Sequence, residues 1–241
     1  MARRKQARGD CAYCGKAYSR GGLTKHLKTC KARQEVIEQA NRKRMATQPL
    51  FHLVIQDGWG RDFFLHLEIN GRATLDDLDM YLRHIWLECC GHLSQFQIGE
   101  VRFTQIFDDG FSIDDEQAMD VPVAQLFEPG MEIPYEYDFG TTSELLIRVV
   151  DERQGQPTTS HPIALMARNQ LEMPDCQICG KPATWIMSDG WMIQGIHGIY
   201  CDKHIENVAE KGEGEGVYPF RIYNAPRMGM CGYDGPAEPP Y

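Results

Sequence analysis

The chain has 241 residues, of which 42% are hydrophobic, and a formal net charge of −9. This length accommodates one full hydrophobic core with one or two small additional modules, and the composition is that of a globular protein. No apolar run reaches about 18 residues, and the start MARRKQARGDC lacks the apolar stretch of a signal peptide, so we expect a cytoplasmic protein that does not cross a membrane. In that compartment the nine Cys are expected to be thiols and metal ligands rather than disulfides.

Charge is distributed unevenly along the chain. The first 48 residues carry 13 Lys and Arg against 3 Asp and Glu, a net charge of +10. The other 193 residues carry 12 basic and 31 acidic groups, a net charge of −19. This division predicts a small cationic module attached to a large acidic body.

The first segment, 1–32, is interpreted as a basic arm followed by a zinc finger. Its candidate metal ligands are Cys11, Cys14, His26 and Cys30. Two pairs of closely spaced ligands allow a short chain to surround zinc tetrahedrally, and the second pair lies one helical turn apart. Tyr18 and Leu23 fall where a ββα finger has its minimal core. A module this small depends on the metal for its folding energy.

The finger has little capacity to read DNA sequence. Its base-reading helix face would carry Ser19, Gly22 and Lys25, and Gly21 and Gly22 offer no side chains. Contact with phosphates through counterion release is the interaction that its cations favour. These cations are Arg3, Arg4, Lys5, Arg8, Lys16, Arg20, Lys25, Lys28 and Lys31. A solvated basic face, or docking onto the chain's own acidic body, explains the same charges, and the sequence leaves these alternatives open.

A helical linker, 33–49, and an α+β body, 50–155, follow. Residues 31–45 contain good helix formers without Gly or Pro. In the body, Thr74 and Asp77 form a capping box that opens a predicted helix at 74–89. Strands are predicted at 51–57, 63–69, 101–107, 132–139 and 145–150. The alternation of residues in the second of these is typical of a strand with one buried face.

The last segment, 156–241, is predicted to be a second metal module with an irregular tail, after a further strand at 163–172. Its candidate ligands are Cys176, Cys179, Cys201 and His204. Two such pairs separated by a hairpin are typical of a zinc ribbon or treble clef. A short helix is expected after His204. Because four protein ligands leave no open position, we expect a structural zinc ion. His197 is interpreted as a packed or surface residue.

The three remaining cysteines are interpreted as packing residues. Cys89 and Cys90 end the predicted core helix and are expected to be buried small side chains. Cys231 is expected to be a buried thiol against the second metal module, not a ligand.

Groups with catalytic potential are scattered rather than arranged in a known motif. They are Asp108, Asp109, Asp114, Asp115, Asp120, Asp138, His66, His84 and His92. Clustered carboxylates can hold two divalent metals for phosphoryl transfer, but the acidic loop 108–120 also has the composition of solvated turns. The sequence contains no Ser-His-Asp order, Walker loop or dinucleotide-binding glycine motif. We therefore assign no catalytic residue.

Several stretches identify a family. LHLEINGRATLDDLDMYLRHIWL, the YEYDFG segment followed by SELLIRVV, the finger CAYCGKAYSRGGLTKHLKTC and the closing NAPRMGMCGY together resemble the plasmid Ri ORF-three-like family of bacterial plasmids and insertion sequences. In that family Tyr-Asp-Phe-Gly is followed by a Gly-Asp-x-Trp-x-His pattern, whereas here Gly140 is followed by TTSEL. A role of that Trp and His therefore does not transfer to this chain. The resemblance implies an α+β, β-grasp-like core and no established activity.

Together these observations predict an α+β fold, in which a β-grasp-like core, a mixed sheet with one main helix, is flanked by a ββα-like finger and a zinc-ribbon- or treble-clef-like module. The function we expect is that of a non-enzymatic adaptor or interaction protein with two structural zinc ions. Its basic end would contact DNA or RNA non-specifically, and its acidic core a protein. The alternatives are a metal-dependent nuclease or hydrolase acting through loop 108–120, and an accessory or effector protein of a mobile element or phage-defence system.

Overall fold

The computed structural model describes residues 7–42, 46–60, 62–105, 116–191, 195–212 and 215–238. The helices are α1 (Arg20–Thr29), α2 (Lys31–Asn41), α3 (Leu75–Leu82) and α4 (Asp202–Gly212), with a π-helical turn at Arg83–Leu87 and a 3-10 turn at Val123–Gln125. The strands are β1 (Arg8–Cys11), β2 (Ala17–Ser19), β3 (Gln48–Asp57), β4 (Phe64–Asn70), β5 (Ser94–Ile98), β6 (Val101–Thr104), β7 (Glu116–Ala118), β8 (Glu132–Tyr137), β9 (Ser143–Gly155), β10 (Ile163–Asn169), β11 (Trp185–Ser188), β12 (Ile196–Tyr200) and β13 (Tyr218–Arg221).

The α+β class is confirmed, with one large mixed sheet and few helices. Ten strands form this sheet in the order β2-β1-β10-β4-β3-β9-β8-β5-β6-β7. Its ladders are antiparallel except for the parallel pair β6–β7. A second sheet of three strands has the order β12-β11-β13. None of the helices in the described part of the chain is long and apolar enough to cross a membrane.

The main helix forms where the capping box predicted it. The Thr74 side chain accepts a hydrogen bond from the Asp77 N–H at 3.1 Å, and the Asp77 carboxylate accepts one from the Thr74 N–H at 2.8 Å. After α3 the chain continues as the π-helical turn Arg83–Leu87, so the helical segment ends close to the predicted residue 89. Leu78 and Trp86 are fully buried in the core against the sheet.

The strand β4 is buried on both faces, which the sequence did not predict. Leu65, Leu67 and Ile69 face the same core as α3. Phe64 and His66 point to the other face and are fully buried as well. The alternating pattern of β4 predicted one exposed face, the face that carries Phe64, His66 and Glu68. This face is buried because the N-terminal segment covers it.

The N-terminal segment is continuous with the main sheet. Strand β1 pairs antiparallel with β10, and β2 pairs with β1. Helix α1 buries Leu23 and Leu27 in a small core that also contains Phe64 of β4 and Met166 of β10. Few apolar residues are available within this segment, so its packing depends on the central strands. The predicted domain boundaries remain a prediction.

A buried carboxylate fastens α2 to the sheet. Glu68 of β4 is 4% exposed and accepts hydrogen bonds from Arg33 of α2 at 2.9 Å and from Arg153 of β9 at 2.6 and 2.9 Å. Two guanidinium groups thus compensate for the desolvation of one carboxylate. The ion pair is one of the polar contacts between the N-terminal segment and the body.

The C-terminal tail lacks regular structure at 222–238 but is packed against the body. Ala225, Arg227 and Tyr233 are buried, and the Ala237 N–H donates to the carbonyl of His84 at 2.8 Å. The sequence missed β5 and β13, which are short strands. The tail is therefore part of the folded body rather than a free extension.

A pair of buried histidines predicts acid sensitivity. His52 Nε2 lies 3.0 Å from His66 Nδ1 beneath the N-terminal segment. Burial lowers the pKa of His52 from 6.5 to about 2, with smaller effects of His66, Arg33 and Lys28. Burial likewise lowers the pKa of His66 to about 4. Both rings therefore stay neutral in the folded protein while the unfolded chain takes up protons below pH 6.5.

We expect the neutral histidine pair to make its full contribution to the free energy of unfolding above pH 6.5. This contribution should fall as the pH decreases from 6.5 towards 4. Each histidine contributes a slope of up to about 1.4 kcal/mol per pH unit in this range. Urea denaturation at a series of pH values measures it. A His52→Gln/His66→Gln variant should show a shallower decline over the same range, and an identical slope would contradict this explanation.

Replacing the buried carboxylate should be much more costly than replacing an exposed one. Glu68→Gln leaves Arg33 and Arg153 without their counter-charge, and we expect it to lower the free energy of unfolding by about 3 kcal/mol. The matched control is Glu132→Gln, because Glu132 pairs with Arg148 at 2.6 Å on the surface. That change should cost less than about 1 kcal/mol. Equal midpoints for the two variants in urea denaturation would refute the assigned role of Glu68.

Candidate metal centres

All nine cysteines lie in three groups, each of which also contains one histidine. The N-terminal cluster is Cys11, Cys14, His26 and Cys30; the central cluster is Cys89, Cys90, His92 and Cys231; the C-terminal cluster is Cys176, Cys179, Cys201 and His204. Within each cluster the four ligand atoms lie within 4.8 Å of one another. All three clusters could hold a metal ion.

The N-terminal cluster joins β1, the following turn and α1. Cys11 ends β1 and Cys30 follows α1, and their Sγ atoms are 3.9 Å apart. The Sγ of Cys14 is 3.3 Å from Nε2 of His26. The ring of Tyr18 stacks on the His26 imidazole at a centroid distance of 4.2 Å, which orients that ring towards the thiols.

The C-terminal cluster joins a turn that precedes β11 to the start of α4. The Sγ atoms of Cys179 and Cys201 are 3.8 Å apart. Nδ1 of His204 lies 3.4 Å from the Sγ atoms of both Cys176 and Cys201. The predicted hairpin between the two ligand pairs is present as β11 and β12, and the predicted helix as α4.

The first two cysteines of both terminal clusters form the same turn, with the sequences CAYCGK and CQICGK. Gly15 and Gly180 both have φ of +68°, and their N–H groups donate to the carbonyls of Cys11 and Cys176 at 2.8 Å. A residue with a Cβ would be strained in this conformation. The turn places the two thiols of each pair on one side of the backbone.

The distances within the clusters agree with tetrahedral coordination. Zinc–sulfur bonds of about 2.3 Å in a tetrahedron separate two sulfur atoms by about 3.8 Å. The sulfur–sulfur distances of 3.9 and 3.8 Å in the terminal clusters match this separation. The eight residues that the sequence selected as ligands are therefore brought together in two groups of four, as their spacing predicted.

The central cluster was not predicted from the sequence, because its residues have no metal-type spacing along the chain. Cys89 and Cys90 were expected to be buried small residues, but Cys90 is exposed and Cys89 only partly buried. Cys231 comes from the tail and is also partly buried, beside the core helix end rather than beside the C-terminal cluster. The available signal was weak: three cysteines without a partner motif and a histidine two residues after Cys90.

The distances in the central cluster resemble those of the terminal clusters. The Sγ of Cys90 is 3.8 Å from that of Cys89 and 3.9 Å from that of Cys231. Nε2 of His92 lies 3.0 Å from Cys90 Sγ and 3.2 Å from Cys231 Sγ. The same nitrogen is 3.4 Å from a carboxylate oxygen of Asp138.

A buried arginine from the tail lies beside this cluster. Arg227 is fully buried, donates to Asp138 at 2.5 Å and to the Cys89 Sγ at 3.5 Å, and lies over the ring of Tyr137. Although burial opposes the effect, Arg227 and the N–H groups of Gly140 and Thr141 lower the pKa of Asp138. The Gly140 N–H donates to a carboxylate oxygen of Asp138 at 3.0 Å.

A second polar network fixes the backbone that carries Cys89 to His92. Arg83 donates to the carbonyl of His92 at 2.7 Å and to Glu88 at 3.0 Å. Glu88 in turn accepts from the Gly91 N–H at 2.5 Å. Arg83 is anchored by the fully buried Asp79 at 2.6 Å, and Tyr135 donates to the same carboxylate at 2.7 Å. The loop is therefore held by buried ion pairs on its core side.

The surroundings of the cysteines shift the pKa values of their thiols in both directions. Burial, reinforced by Cys14 and Cys30, raises the pKa of Cys11 to about 11 against the effect of backbone hydrogen bonds. Local desolvation, together with the thiols of Cys89 and Cys231, raises the pKa of Cys90 to about 12. In contrast, hydrogen bonds from backbone groups and His204 outweigh desolvation at Cys176 and lower its pKa to about 5. A bound cation would stabilise the thiolates at all of these positions.

The predicted nucleic-acid contacts that the structure describes lie at or near the surface, and one of them pairs with the acidic body. Lys28 pairs with Asp151 of the body at 3.0 Å. Arg8, Lys16 and Lys25 are exposed, and Arg20 is partly buried. Arg3, Arg4 and Lys5 lie outside the described residues. Docking onto the acidic body thus accounts for part of the basic charge only.

Most of the catalytic candidates are either outside the described residues or engaged in packing. Asp108, Asp109, Asp114 and Asp115 belong to the first group, and Asp120 is exposed. His66 pairs with His52, and Asp138 with Arg227. His84 is partly buried, and His197 is a surface residue 3.8 Å from Asp189.

An open cavity of about 270 Å³ adjoins the tail. Its lining includes Asp57, Trp59, Thr141, Trp191 and Met230, the residue before Cys231. Trp59 and Trp191 are 64% and 71% exposed, which is unusual for tryptophan. The cavity and the central cluster are therefore neighbouring features of one surface.

Residues 58–183 match the model of the plasmid pRiA4b ORF-3-like protein family, and the chain belongs to that family. Among solved structures, the chain is similar to a protein of unknown function from Methanosarcina mazei Go1, with 15% identity and a TM-score of 0.44 over 56% of this chain and 75% of that one. No curated protein matches the chain.

Loss of one ligand in the C-terminal cluster should affect that region locally. We expect Cys176→Ser to lower the bound metal by one ion per chain and to increase hydrogen exchange in β11 to β13 and α4, while β3 and β4 remain protected, because the second sheet is not part of the main one. Elemental analysis and hydrogen-exchange mass spectrometry measure these effects. The control is His197→Gln, which should leave both unchanged; unaltered metal content in the cysteine variant would exclude Cys176 as a ligand.

Proposed function

We propose that the protein is a non-enzymatic adaptor whose ends are stabilised by structural zinc. In this proposal a ββα-like finger and a zinc-ribbon- or treble-clef-like module each hold one zinc ion on a β-grasp-like core. The observation that carries it is the closed set of four protein ligands in each terminal cluster, within 4.8 Å of one another. Such sets leave no position for a substrate, in contrast to catalytic zinc sites.

The side chains around the core support a binding role rather than catalysis. Asp79, Glu68 and Asp138 are buried in ion pairs with arginines. Among the described residues, therefore, these carboxylates serve as structural anchors. The alternative of a nuclease acting through loop 108–120 gains no specific support, because most of its carboxylates lie outside the described part of the chain.

The N-terminal end has the properties of an electrostatic contact surface. Lys16, Lys25 and Lys31 are exposed. Lys28 is exposed as well but pairs with Asp151, and the partly buried Arg33 pairs with Glu68. Ser19 caps α1 by accepting from the Gly22 N–H at 3.2 Å, so it is engaged at the position from which a finger would read a base. These features favour contact with phosphates of DNA or RNA without sequence preference.

The cavity beside the tail has the properties of a protein-binding surface. Exposed Trp59 and Trp191 flank the cavity beside the tail. Clustered exposed tryptophans are frequent at the centres of protein interfaces and rare elsewhere on surfaces. An adaptor would then contact nucleic acid through its basic N-terminal segment and a protein through the surface around the cavity.

The nucleic-acid contact is tested with the full-length protein, since removal of 1–48 would expose Phe64 and Met166. We expect a Lys16→Gln/Lys25→Gln/Lys31→Gln variant to bind a random-sequence DNA duplex more weakly. The plot of log affinity against log salt should become shallower by about 0.9 for each phosphate that the variant no longer neutralises. Mobility-shift titrations across a salt series measure both quantities.

The matched control is Lys181→Gln/Lys203→Gln/Lys211→Gln, which removes three exposed lysines from the C-terminal module. This variant has the same net charge and should retain the affinity and salt dependence of the unmodified protein. Equal weakening by both variants would show that only overall charge matters. Absence of binding by the unmodified protein would refute the nucleic-acid role and leave the structural zinc proposal standing.

A further inference from the structure

We propose that the central cluster, Cys89, Cys90, His92 and Cys231, is a third tetrahedral metal centre, occupied by zinc, that fastens the C-terminal tail to the end of the core helix. Nothing in the spacing of these residues along the chain marks them as a ligand set. Their juxtaposition is a property of the folded structure alone.

The distribution of the cysteines supports this assignment. Every cysteine in the chain belongs to one of the three clusters, and each cluster has three cysteines and one histidine. The central cluster therefore has the same ligand composition as the two clusters recognised from sequence. Soft thiolates with one imidazole are ligands that select zinc among the common divalent ions.

The distances support the same coordination geometry. Cys90 Sγ lies 3.8 and 3.9 Å from the other two sulfur atoms, against about 3.8 Å for the edge of a zinc–thiolate tetrahedron. His92 Nε2 lies 3.0 and 3.2 Å from two of the thiols. These sulfur separations are well above the disulfide bond length of about 2.05 Å.

The backbone around Cys231 is held in an unfavourable conformation that presents its thiol. Cys231 has φ of +45°, one of two positive values for non-glycine residues in the described part of the chain. Its N–H donates to the carbonyl of Gly190 at 2.8 Å, which anchors the turn against the C-terminal module. Such strain persists where surrounding interactions require it, and it is concentrated at functional sites.

The environment of the cluster is suited to a negatively charged metal complex. Three thiolates around a divalent cation leave a net charge of −1. Arg227 lies 3.5 Å from Cys89 Sγ, and Arg83 holds the His92 carbonyl at 2.7 Å, so two guanidinium groups surround the ligands. Asp138, 3.4 Å from His92, stays paired with Arg227. Charged groups outside the first coordination sphere orient ligands in this way at known metal sites.

The central centre differs from the terminal ones in what it connects. The ligands of the terminal clusters span short stretches, whereas Cys90 and Cys231 are separated by 141 residues. Metal binding here would close a loop that contains most of the main sheet and the whole C-terminal cluster. It would also hold Met230, and with it one wall of the cavity between Trp59 and Trp191.

Native mass spectrometry of the full-length protein, purified under reducing conditions with zinc, tests the proposal. We expect three zinc ions per chain in the unmodified protein. His92→Gln and Cys231→Ser should each hold two, whereas His92→Cys should restore three because a fourth thiolate replaces the imidazole. The surface control His161→Gln should retain three. Cys176→Ser, which removes a ligand of the C-terminal cluster, should also hold two zinc ions. Combining it with a central variant should leave one, because the two sites bind metal independently.

Any of three results would overturn the proposal. One is a folded unmodified protein that binds no more than two zinc ions at saturating metal, a result that needs no variant to fold. Another is an intact mass 2 Da below that of the fully reduced chain, with Cys90 and Cys231 linked in peptide mapping, which would show a disulfide in place of the metal. The third is a zinc content that only the terminal variants alter, in which case the terminal sites stand and the central one does not.

Discussion

The central strands β3 and β4 are buried on both faces, and the rest of the structure depends on this constraint. One face is covered by α3, whose apolar side chains pack on Leu65 and Leu67. The other is covered by the N-terminal segment, which contributes Leu23 and Leu27 and pairs Arg33 with the buried Glu68. Because the segment and that face of the sheet bury their apolar side chains against each other, each stabilises the other. The basic charge of the segment follows in part from this, since some of it compensates for acidic groups of the body.

The cysteine clusters attach to the body those parts of the chain that have little apolar surface of their own. The N-terminal hairpin, the second sheet and the tail each contribute few buried residues, and each is attached at a group of three thiols and an imidazole. A metal ion at these positions would supply folding energy that a small core cannot. The ion pair between Asp138 and Arg227 also attaches the tail to the body.

Prediction from sequence succeeded where the determining interactions were local. The helix at 74–89 was recognised because the capping box of Thr74 and Asp77 and the apolar periodicity lie within one segment. The grouping of the terminal Cys and His residues was recognised because each group spans few residues, and their role as metal ligands stays a prediction. Prediction from sequence failed for β5 and β13, which are short strands stabilised by their neighbours. It also failed for the second face of β4: His66 and Glu68 have the polarity of exposed residues, yet they are buried because one histidine pairs with another and two arginines neutralise the carboxylate.

By itself, the sequence determined the α+β class, the family resemblance and eight of the twelve candidate metal ligands, since these depend on spacing and periodicity within short stretches. Only the tertiary structure decided that the N-terminal hairpin extends the main sheet, that Arg33 pairs with the buried Glu68 while Lys16 and Lys25 are exposed, and that Cys231 lies beside Cys90. The physical reason is that such contacts join residues more than a hundred positions apart or on separate elements. Their formation depends on the packing of the whole sheet rather than on any local pattern.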